Sequence, residues 1–459
     1  MTRRAAIAAA GAGAAAIAFG RVPAWARPVR GENLASAAGL RRPDSLPFPH
    51  LPPGHPSMPQ IEHVVVLIME NHSFDNLLGM VPARVPGHQG VDGFRLRRGR
   101  PVNSNPDAAG RPVIAAPAGS PCQLDGEPMQ TWNASHEAWD QGRNDGFVRA
   151  SGPIAMRFWD ERDLPFTYSL ARHFPIGQRY FCSAMAQTYP NLRYFFCGTS
   201  SGLVVTDLHQ SAQLPAANGT IFDRLDDHRI SWRVYYEDAF SPAIVPGFFT
   251  PARAPRIRTI PSFYADAAAG RLPHFSYVCP NFGTTSEENP QDIQLGERFI
   301  ARVVHALMRA PTWDATALFV TWDEHGGYYD HVPPPVAIRP DSIAPIPGPG
   351  GPPLTPGGFD RYGFRVPSGI VSAYARPHHV SHTVYDHTSV LATLERKWNL
   401  PALTYRDANA RDLLDCLDLH GPPRFLEPPV LAAPANAAAG AGCLSTGPGV
   451  IPPPSAVTG

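Results

Sequence analysis

Lysine is almost absent from this chain: Lys397 is the only one in 459 residues, so nearly every positive charge is an arginine. That bias reads as a base-composition effect of the gene and carries no functional weight. Charge of either sign is sparse, with 39 basic against 39 acidic side chains, a net charge of zero and 17% charged residues. Such a balance excludes the broad basic face of a nucleic-acid binder and the acidic bias of a disordered chain, so no nucleic-acid partner is expected. Cysteine is scarce as well. Cys122, Cys182, Cys197, Cys279, Cys416 and Cys443 form no Cys-x-x-Cys pair, which disfavours a thiolate zinc site or a dithiol redox centre. Apolar runs long enough to span a bilayer are missing, and no transmembrane segment is expected in the mature chain.

Proline and glycine are plentiful instead, at 53 and 40 residues, so much of the backbone must be loop. Part of it lies at the N-terminus. Arg3-Arg4 precedes an Ala/Gly/Ile stretch ending near Gly20 and a small-x-small site at Ala24-Trp25-Ala26. Those parts, in that order, read as a twin-arginine-type signal peptide over residues 1–26, which implies an exported protein, periplasmic or secreted. An even cysteine count in an exported protein permits up to three disulfides, and 15 pairings are open. Residues 27–60 form a Pro-rich lead-in, residues 61–420 one catalytic domain, and residues 421–459 a Pro/Ala/Gly-rich tail that Cys443 would hold if paired.

Within the body, Val64 to Met69 is a short, continuous, β-branched apolar run, as expected of a strand buried on both faces of a parallel sheet. His274 to Val278 reads as another strand. Leu295 to Met308 is helical by the spacing of Phe299, Ile300, Val303, Val304, Leu307 and Met308, and Ala317 to Thr321 is a third strand. Strand, helix, strand is the βαβ pattern, so the fold class is α/β: a central, mostly parallel sheet flanked by helices on both faces. Ile338 to Gly363 carries almost no periodic signal and reads as a lid, a rim loop or a disordered insertion.

Two acidic pairs, Glu70-Asn71 and Asp323-Glu324, directly follow buried strands, at the carboxyl edge where open α/β sheets bind ligands. Their oxygens suit a hard divalent cation, which acts as a Lewis acid on a phosphoryl or carbonyl group. Singly, each carboxylate could equally be a helix N-cap or a solvated loop group. A nucleophile belongs on the same edge. Thr188 precedes a helix-like stretch, Leu192 to Cys197, where the helix dipole and free N–H groups favour a phosphorylated hydroxyl, although composition alone favours an N-cap role.

Several ordered motifs then resemble one family. Ile61-Glu62-His63 with Met69-Glu70-Asn71-His72-Ser73-Phe74-Asp75-Asn76, Trp132 with His136-Glu137-Ala138-Trp139, and Gln187-Thr188-Tyr189-Pro190-Asn191 are the first three. Asp323-Glu324-His325-Gly326-Gly327-Tyr328-Tyr329-Asp330-His331-Val332-Pro333, Tyr385-Asp386-His387-Thr388-Ser389 and Arg406-Asp407-Ala408-Asn409-Ala410 follow. Together they resemble the bacterial phosphoesterase family of non-specific phospholipases C and AcpA-type acid phosphatases, within the alkaline phosphatase-like superfamily. The resemblance implies an alkaline phosphatase-like fold and one divalent metal (Ca, Mg, Mn, Fe or Zn) held by Glu70, Asn71, Asp323 and Glu324 with the Thr188 hydroxyl. It also implies Thr188 as nucleophile and His136 as donor to a phosphate oxygen or leaving group. His331 and His387 lie in matching motifs and would either serve the reaction or fix loops. The substrate would be a phosphate ester, with phospholipid among the candidates.

Two departures stand out. Gln130 occupies a place where relatives often carry His, and the segment Ser286-Glu287-Glu288-Asn289-Pro290 puts Glu288 where another His is common. A carboxylate there repels a dianionic monoester more than a singly charged diester, which favours phosphodiesters. The competing readings are an acid phosphatase of the same family and a non-catalytic cell-surface binding protein on this fold. The Cys-x-Pro-x-Arg motif of sulfatases is absent.

Overall fold

The computed structural model describes residues 39–123, 128–349, 351, 353–435 and 443. Its largest sheet has eight strands: β1 His63–Met69, β2 Ile176–Gly177, β3 Trp232–Tyr236, β4 Ile257–Thr259, β5 Phe275–Cys279, β6 Thr316–Trp322, β7 Ser368–Ser372 and β8 Val380–Ser381. Their order is β4-β3-β5-β1-β6-β7-β2-β8. From β4 to β6 every pairing is parallel, β7 is antiparallel to both its neighbours, and β2 pairs parallel with β8. The strands read from the apolar runs are all present, within one or two residues of their expected bounds. β1 and β6 are buried along their whole length, which is why their sequences run apolar without alternation.

Among its helices are α1 Trp132–Trp139, α2 Pro165–His173, α3 Thr188–Cys197, α4 Ile293–Met308 and α5 His387–Trp398. Strand parity shows that they cover both faces. Val320 and Trp322 share an apolar pocket with Leu170 of α2 and Ile300 of α4. Phe319 and Thr321 point the other way, towards Val390 of α5. Tyr277, in register with Val66 and hence with Phe319, packs its ring 5.4 and 5.2 Å from those of Phe195 and Phe196 of α3, tilted to the first and edge-on to the second. So α2 and α4 lie on one face, and α3 and α5 on the other. Each large apolar side chain buried there contributes about 1.5–3 kcal/mol.

The lead-in follows an irregular path but is pinned to the body from Arg41 onward, where Asn409 accepts from the Arg41 N–H at 2.9 Å and donates to its carbonyl at 2.8 Å. Asn399, just past α5, donates from Nδ2 to the carbonyls of Phe48, Leu51 and Pro52 at 3.1, 2.9 and 3.1 Å. Lys397, the single lysine, is buried and donates from Nζ to the carbonyls of Met58 and Ile61. A cation in the last turn of α5 also complements the helix dipole. At the other end, the described tail packs back: Trp313 donates from Nε1 to the Phe425 carbonyl at 2.7 Å, and Leu431 is buried. One disulfide, Cys122–Cys443, is formed, so Cys443 does hold the tail; the other four cysteines are buried and unpaired. The expected signal peptide lies outside the described residues.

Candidate active site

Register builds the site. β1 and β6 are paired from His63↔Thr316 to Met69↔Trp322, so the next residues, Glu70 and Asp323, leave the sheet side by side. Both continue the parity of Val66 and Phe319, the face on which α3 packs. Thr188 opens α3 there. It is the first helical residue; Gln187 holds the N-cap position, with no side-chain cap. The N-cap role that composition favours for Thr188 is therefore not what the fold gives it. Its hydroxyl donates to Glu70 Oε2 at 3.2 Å.

Asn71 turns the chain at φ 63°, a left-handed conformation that Asn tolerates better than most residues. The turn lets its N–H donate to Asp323 Oδ1 at 2.9 Å, while its Nδ2 donates to Glu288 Oε2. Glu324 Oε2 accepts from the Gly326 N–H at 2.8 Å and faces His325 Nδ1 at 3.1 Å. Glu70, Asn71, Thr188, Asp323, Glu324 and Glu288 are all buried.

Burial, then mutual repulsion, pushes the Glu70 and Glu324 carboxyls well above their ordinary range, and burial raises Asp323 to about 6. Glu288 adds its charge to both glutamates. Four acidic groups crowded in a buried space are costly unless a cation joins them. The donor set fits one. Asn71 Oδ1, Asp323 Oδ2 and Glu324 Oε1 are buried oxygens without a hydrogen-bond partner, an all-oxygen set suited to a hard dication. Tighter carboxylate and imidazole groups occur elsewhere, at Asp75-Asp330-His331 and His379-Asp415-Cys416. The first already holds Arg365 as its cation, 2.8 Å from Asp330 and 3.1 Å from Asp75, and so is an ion-pair network.

The histidines separate by environment. His136 on α1 donates from Nδ1 to the Trp132 carbonyl at 2.7 Å, which leaves Nε2 as a lone-pair nitrogen, buried and without a partner. Burial lowers its pKa, so the ring is neutral near pH 7 and donates from Nε2 only once protonated. Its neighbour Trp132 packs with Ala184, Ala186 and Tyr194, around the start of α3, and with Phe359 of the rim segment. That segment, the expected rim loop, closes over the ring: Gly357 lies against His136, and the Thr355 carbonyl accepts from Trp132 Nε1 at 2.9 Å.

His387 and His331 are not brought into the cluster as proton-transfer groups. His387 donates from Nε2 to the Asp323 carbonyl at 2.6 Å and faces the Tyr180 hydroxyl with Nδ1 at 3.3 Å, so it braces the Asp323-Glu324 turn from behind. His331 spends Nδ1 on Asp75 at 2.6 Å and Nε2 on Asp92 at 2.9 Å. These partners satisfy both ring nitrogens in each case. Sequence reasoning passed over His325, whose buried Nε2 has no partner and whose pKa burial lowers to about 3. Its position between Glu324 and Gly326 was the available signal.

A paired-carboxylate edge with a hydroxyl beside it is an arrangement that can hold a cation next to a nucleophile. The sequence model of the Phosphoesterase family matches residues 61–401, and the chain belongs to that family. Among its relatives, phospholipase C A of Mycobacterium tuberculosis is 31% identical over 429 residues, covering 82% of this chain and 80% of that protein. Phospholipase C B of the same organism is 29% identical over 437 residues, with 82% and 81% covered. Non-specific phospholipase C1 of Arabidopsis thaliana is 28% identical over 403 residues, with 79% and 72% covered. A solved structure of a Vibrio parahaemolyticus protein in the alkaline phosphatase superfamily is loosely similar, with TM-score 0.37 and 13% identity over 65% of this chain and 72% of that one. The protein is a phosphoric ester hydrolase with phospholipase C relatives.

Proposed function

We propose that this is an exported, metal-dependent phosphodiesterase of the phospholipase C type that works through Thr188. The observation carrying the reading is the Thr188 hydroxyl, 3.2 Å from Glu70 Oε2, beside the partnerless oxygens of Asn71, Asp323 and Glu324. Those four residues and Thr188 would hold the divalent ion, which when bound supplies charge neutralisation at the phosphoryl group and lowers the hydroxyl pKa. Glu70 takes the hydroxyl proton as Thr188 Oγ1 attacks phosphorus, and the ester oxygen departs. The resulting threonine phosphodiester, which keeps the second ester group, is then hydrolysed by water, releasing a phosphomonoester and restoring Thr188. Positioning and electrostatics dominate such a transfer, so little further covalent help is required. His136, once protonated, donates to a phosphate oxygen or to the departing alkoxide.

Glu288 favours diesters. It bonds to the Asn71 side chain and adds its charge to those of Glu70 and Glu324, so a dianionic monoester meets more repulsion than a monoanionic diester. Phospholipid is then a fitting substrate, in line with the relatives. Export rests on the leader sequence and agrees with the Cys122–Cys443 disulfide, since such bonds persist in oxidising compartments. No helix among the described residues is long and apolar enough to cross a membrane. Rates on p-nitrophenylphosphorylcholine and p-nitrophenyl phosphate, each with and without chelator, test the reading. A chelator-sensitive diester preference supports it, a monoester preference favours the acid-phosphatase alternative, and activity untouched by chelator or by Thr188→Ala removes the mechanism.

A further inference from the structure

The zero net charge hides one local excess. Arg95, Arg97, Arg98 and Arg100 crowd one short stretch, all are exposed, and none has an ion-pair partner among the described residues. The nearby Arg111, by contrast, is paired with Asp107 at 2.8 Å. The four sit on a two-stranded ribbon in which Leu96 pairs with Pro101 and Arg97 with Arg100. The Val102 N–H donates to the Arg95 carbonyl at 2.9 Å, which extends the ladder by another pair. Opposed residues share a face, so Arg95, Arg97, Arg100 and Val102 point one way and Leu96 the other, against the core. This arrangement works against its own hairpin. Arg97 and Arg100 are like charges directly opposite each other, a destabilising cross-strand pair. Arg98 at φ 52° and Gly99 at φ 75° form a turn that is left-handed at both central positions, where Asn or Asp is preferred before Gly. Residues that oppose their local fold are expected where a surface serves binding.

The ribbon is rooted on the loop that begins with Asp323-Glu324. Just before it, Asp92 accepts from His331 Nε2 at 2.9 Å. Just after it, Asn105 Nδ2 donates to the Asn144 carbonyl at 3.0 Å, and Asn144 Nδ2 donates to the Asp330 carbonyl at 2.5 Å. We propose that this arginine face is a docking surface for anionic phospholipid bilayers, a proposal that rests on the phospholipase C reading above. Arginines at an anionic lipid surface are each worth about fivefold in partition. Apolar neighbours decide for a bilayer over a soluble polyanion. Val102 and Ile114 are 43% and 56% exposed, and Ser104, two residues past Val102, pairs with Ile114. Exposed Val102 and Ser104 alternate with buried Asn103 and Asn105, so the arginine face runs on to both apolar side chains. A lipid interface takes up apolar groups beside cations, whereas a polyanion in water leaves them wet.

Co-sedimentation of the full-length protein with phosphatidylcholine vesicles, with and without phosphatidylglycerol, tests the surface. The wild type should bind the anionic vesicles more tightly, and the difference should shrink as salt rises. Arg97→Gln/Arg98→Asn/Arg100→Gln should lower partition onto the anionic vesicles by about 10²-fold. Its rate on soluble p-nitrophenylphosphorylcholine should equal that of the wild type. Its unfolding temperature should hold or rise, since the opposed charges are gone and Asn-Gly suits the turn. Equal partition of wild type and variant overturns the proposal, as does a wild type indifferent to phosphatidylglycerol. Heparin binding that is lost in the variant, without any preference for anionic vesicles, overturns it in favour of a soluble polyanion. The soluble-substrate rates report separately on the active site: absence of diester turnover removes the phosphodiesterase reading, while vesicle partition still decides the fate of the arginine face.

Discussion

The backbone N–H of Asn71 donates to Asp323 Oδ1 at 2.9 Å, tying the ends of two parallel strands that lie 252 residues apart in sequence. One acid thereby does two things: Asp323 fixes the turn at Asn71 through Oδ1 and keeps Oδ2 without a partner. The side-chain oxygen of Asn71 is left equally uncommitted. The turn thus fixes where both free oxygens sit before any ligand arrives.

Replacing Thr188 by Ala should lower kcat by about 10³-fold or more with little change in stability, since the hydroxyl's loss leaves α3 without a cap to lose. Thr188→Ser should retain a substantial part of the activity, because the hydroxyl and its bond to Glu70 survive. Steady-state rates on a chromogenic diester, paired with thermal unfolding, check both. Unimpaired turnover in Thr188→Ala would falsify the nucleophile assignment.

Charge crowding predicts an inverse relation between stability and activity. Glu324 is buried beside Asp323 and Glu288, so Glu324→Gln should stabilise the metal-free protein by about 1–3 kcal/mol while abolishing turnover. Adding a divalent metal should raise the unfolding temperature of the wild type more than that of the variant, as preferential binding to the native state requires. Calorimetry of chelated and metal-loaded protein measures the four values. A variant less stable than wild type without metal would contradict the crowding argument.

Gly326 closes the loop behind Glu324 at φ 63°, and a Cβ there would stand 1.9 Å from the Asn71 carbonyl oxygen. Backbone cannot give way as a flexible side chain can. Gly326→Ala should therefore cost about 1–3 kcal/mol and reduce activity together, as the Asn71 turn shifts. Gly110, also at positive φ but with open space around it, is the control: its substitution should cost stability alone.

The sheet was legible because β1 and β6 are buried on both faces and advertise it as unbroken apolar runs. Glu70-Asn71 and Asp323-Glu324 were legible for the same reason, as abrupt polar ends of such runs. What stayed hidden depends on long-range pairing. Arg365 meets Asp75 across 290 residues and Asp330 across 35, and no local period marks a buried ion pair. His331 was drawn into the site by its motif, whereas its actual partners, Asp75 and Asp92, lie far off in sequence. Thr188 looked like a cap because N-cap and first-turn positions share a composition, and only the register of the strands beneath tells them apart. The disulfide was one choice among 15 for the same reason.

Cys122–Cys443 closes a loop of 321 residues and anchors the tail. Reduction, or Cys443→Ser, should lower stability by about 2–5 kcal/mol. Activity should fall less than stability, yet not stay untouched: next to Cys122, Gln123 accepts from the Tyr328 hydroxyl at 2.6 Å and donates to the Glu287 carbonyl at 2.9 Å, beside the acidic cluster. Denaturant midpoints with and without reductant test the first claim, and KM against kcat in the variant tests the second.

His331 gives the clearest pH signature. Although burial opposes its charge, Asp75 and Asp92 together raise its pKa to about 9. Since that exceeds the value of about 6.5 in an unfolded chain, the protonated ring binds its proton more tightly when folded. Its contribution is present in full below pH 6.5 and is lost progressively as pH rises through about 9. The shift corresponds to up to about 3 kcal/mol across that window. Stability should accordingly decline from pH 6.5 to 9 in the wild type. His331→Gln, which keeps a donor for Asp75 without a titrating proton, should be less stable at pH 6 and show a flatter profile. The neighbouring Arg365 keeps its charge throughout, so a slope that persists in His331→Gln would assign the decline to another group.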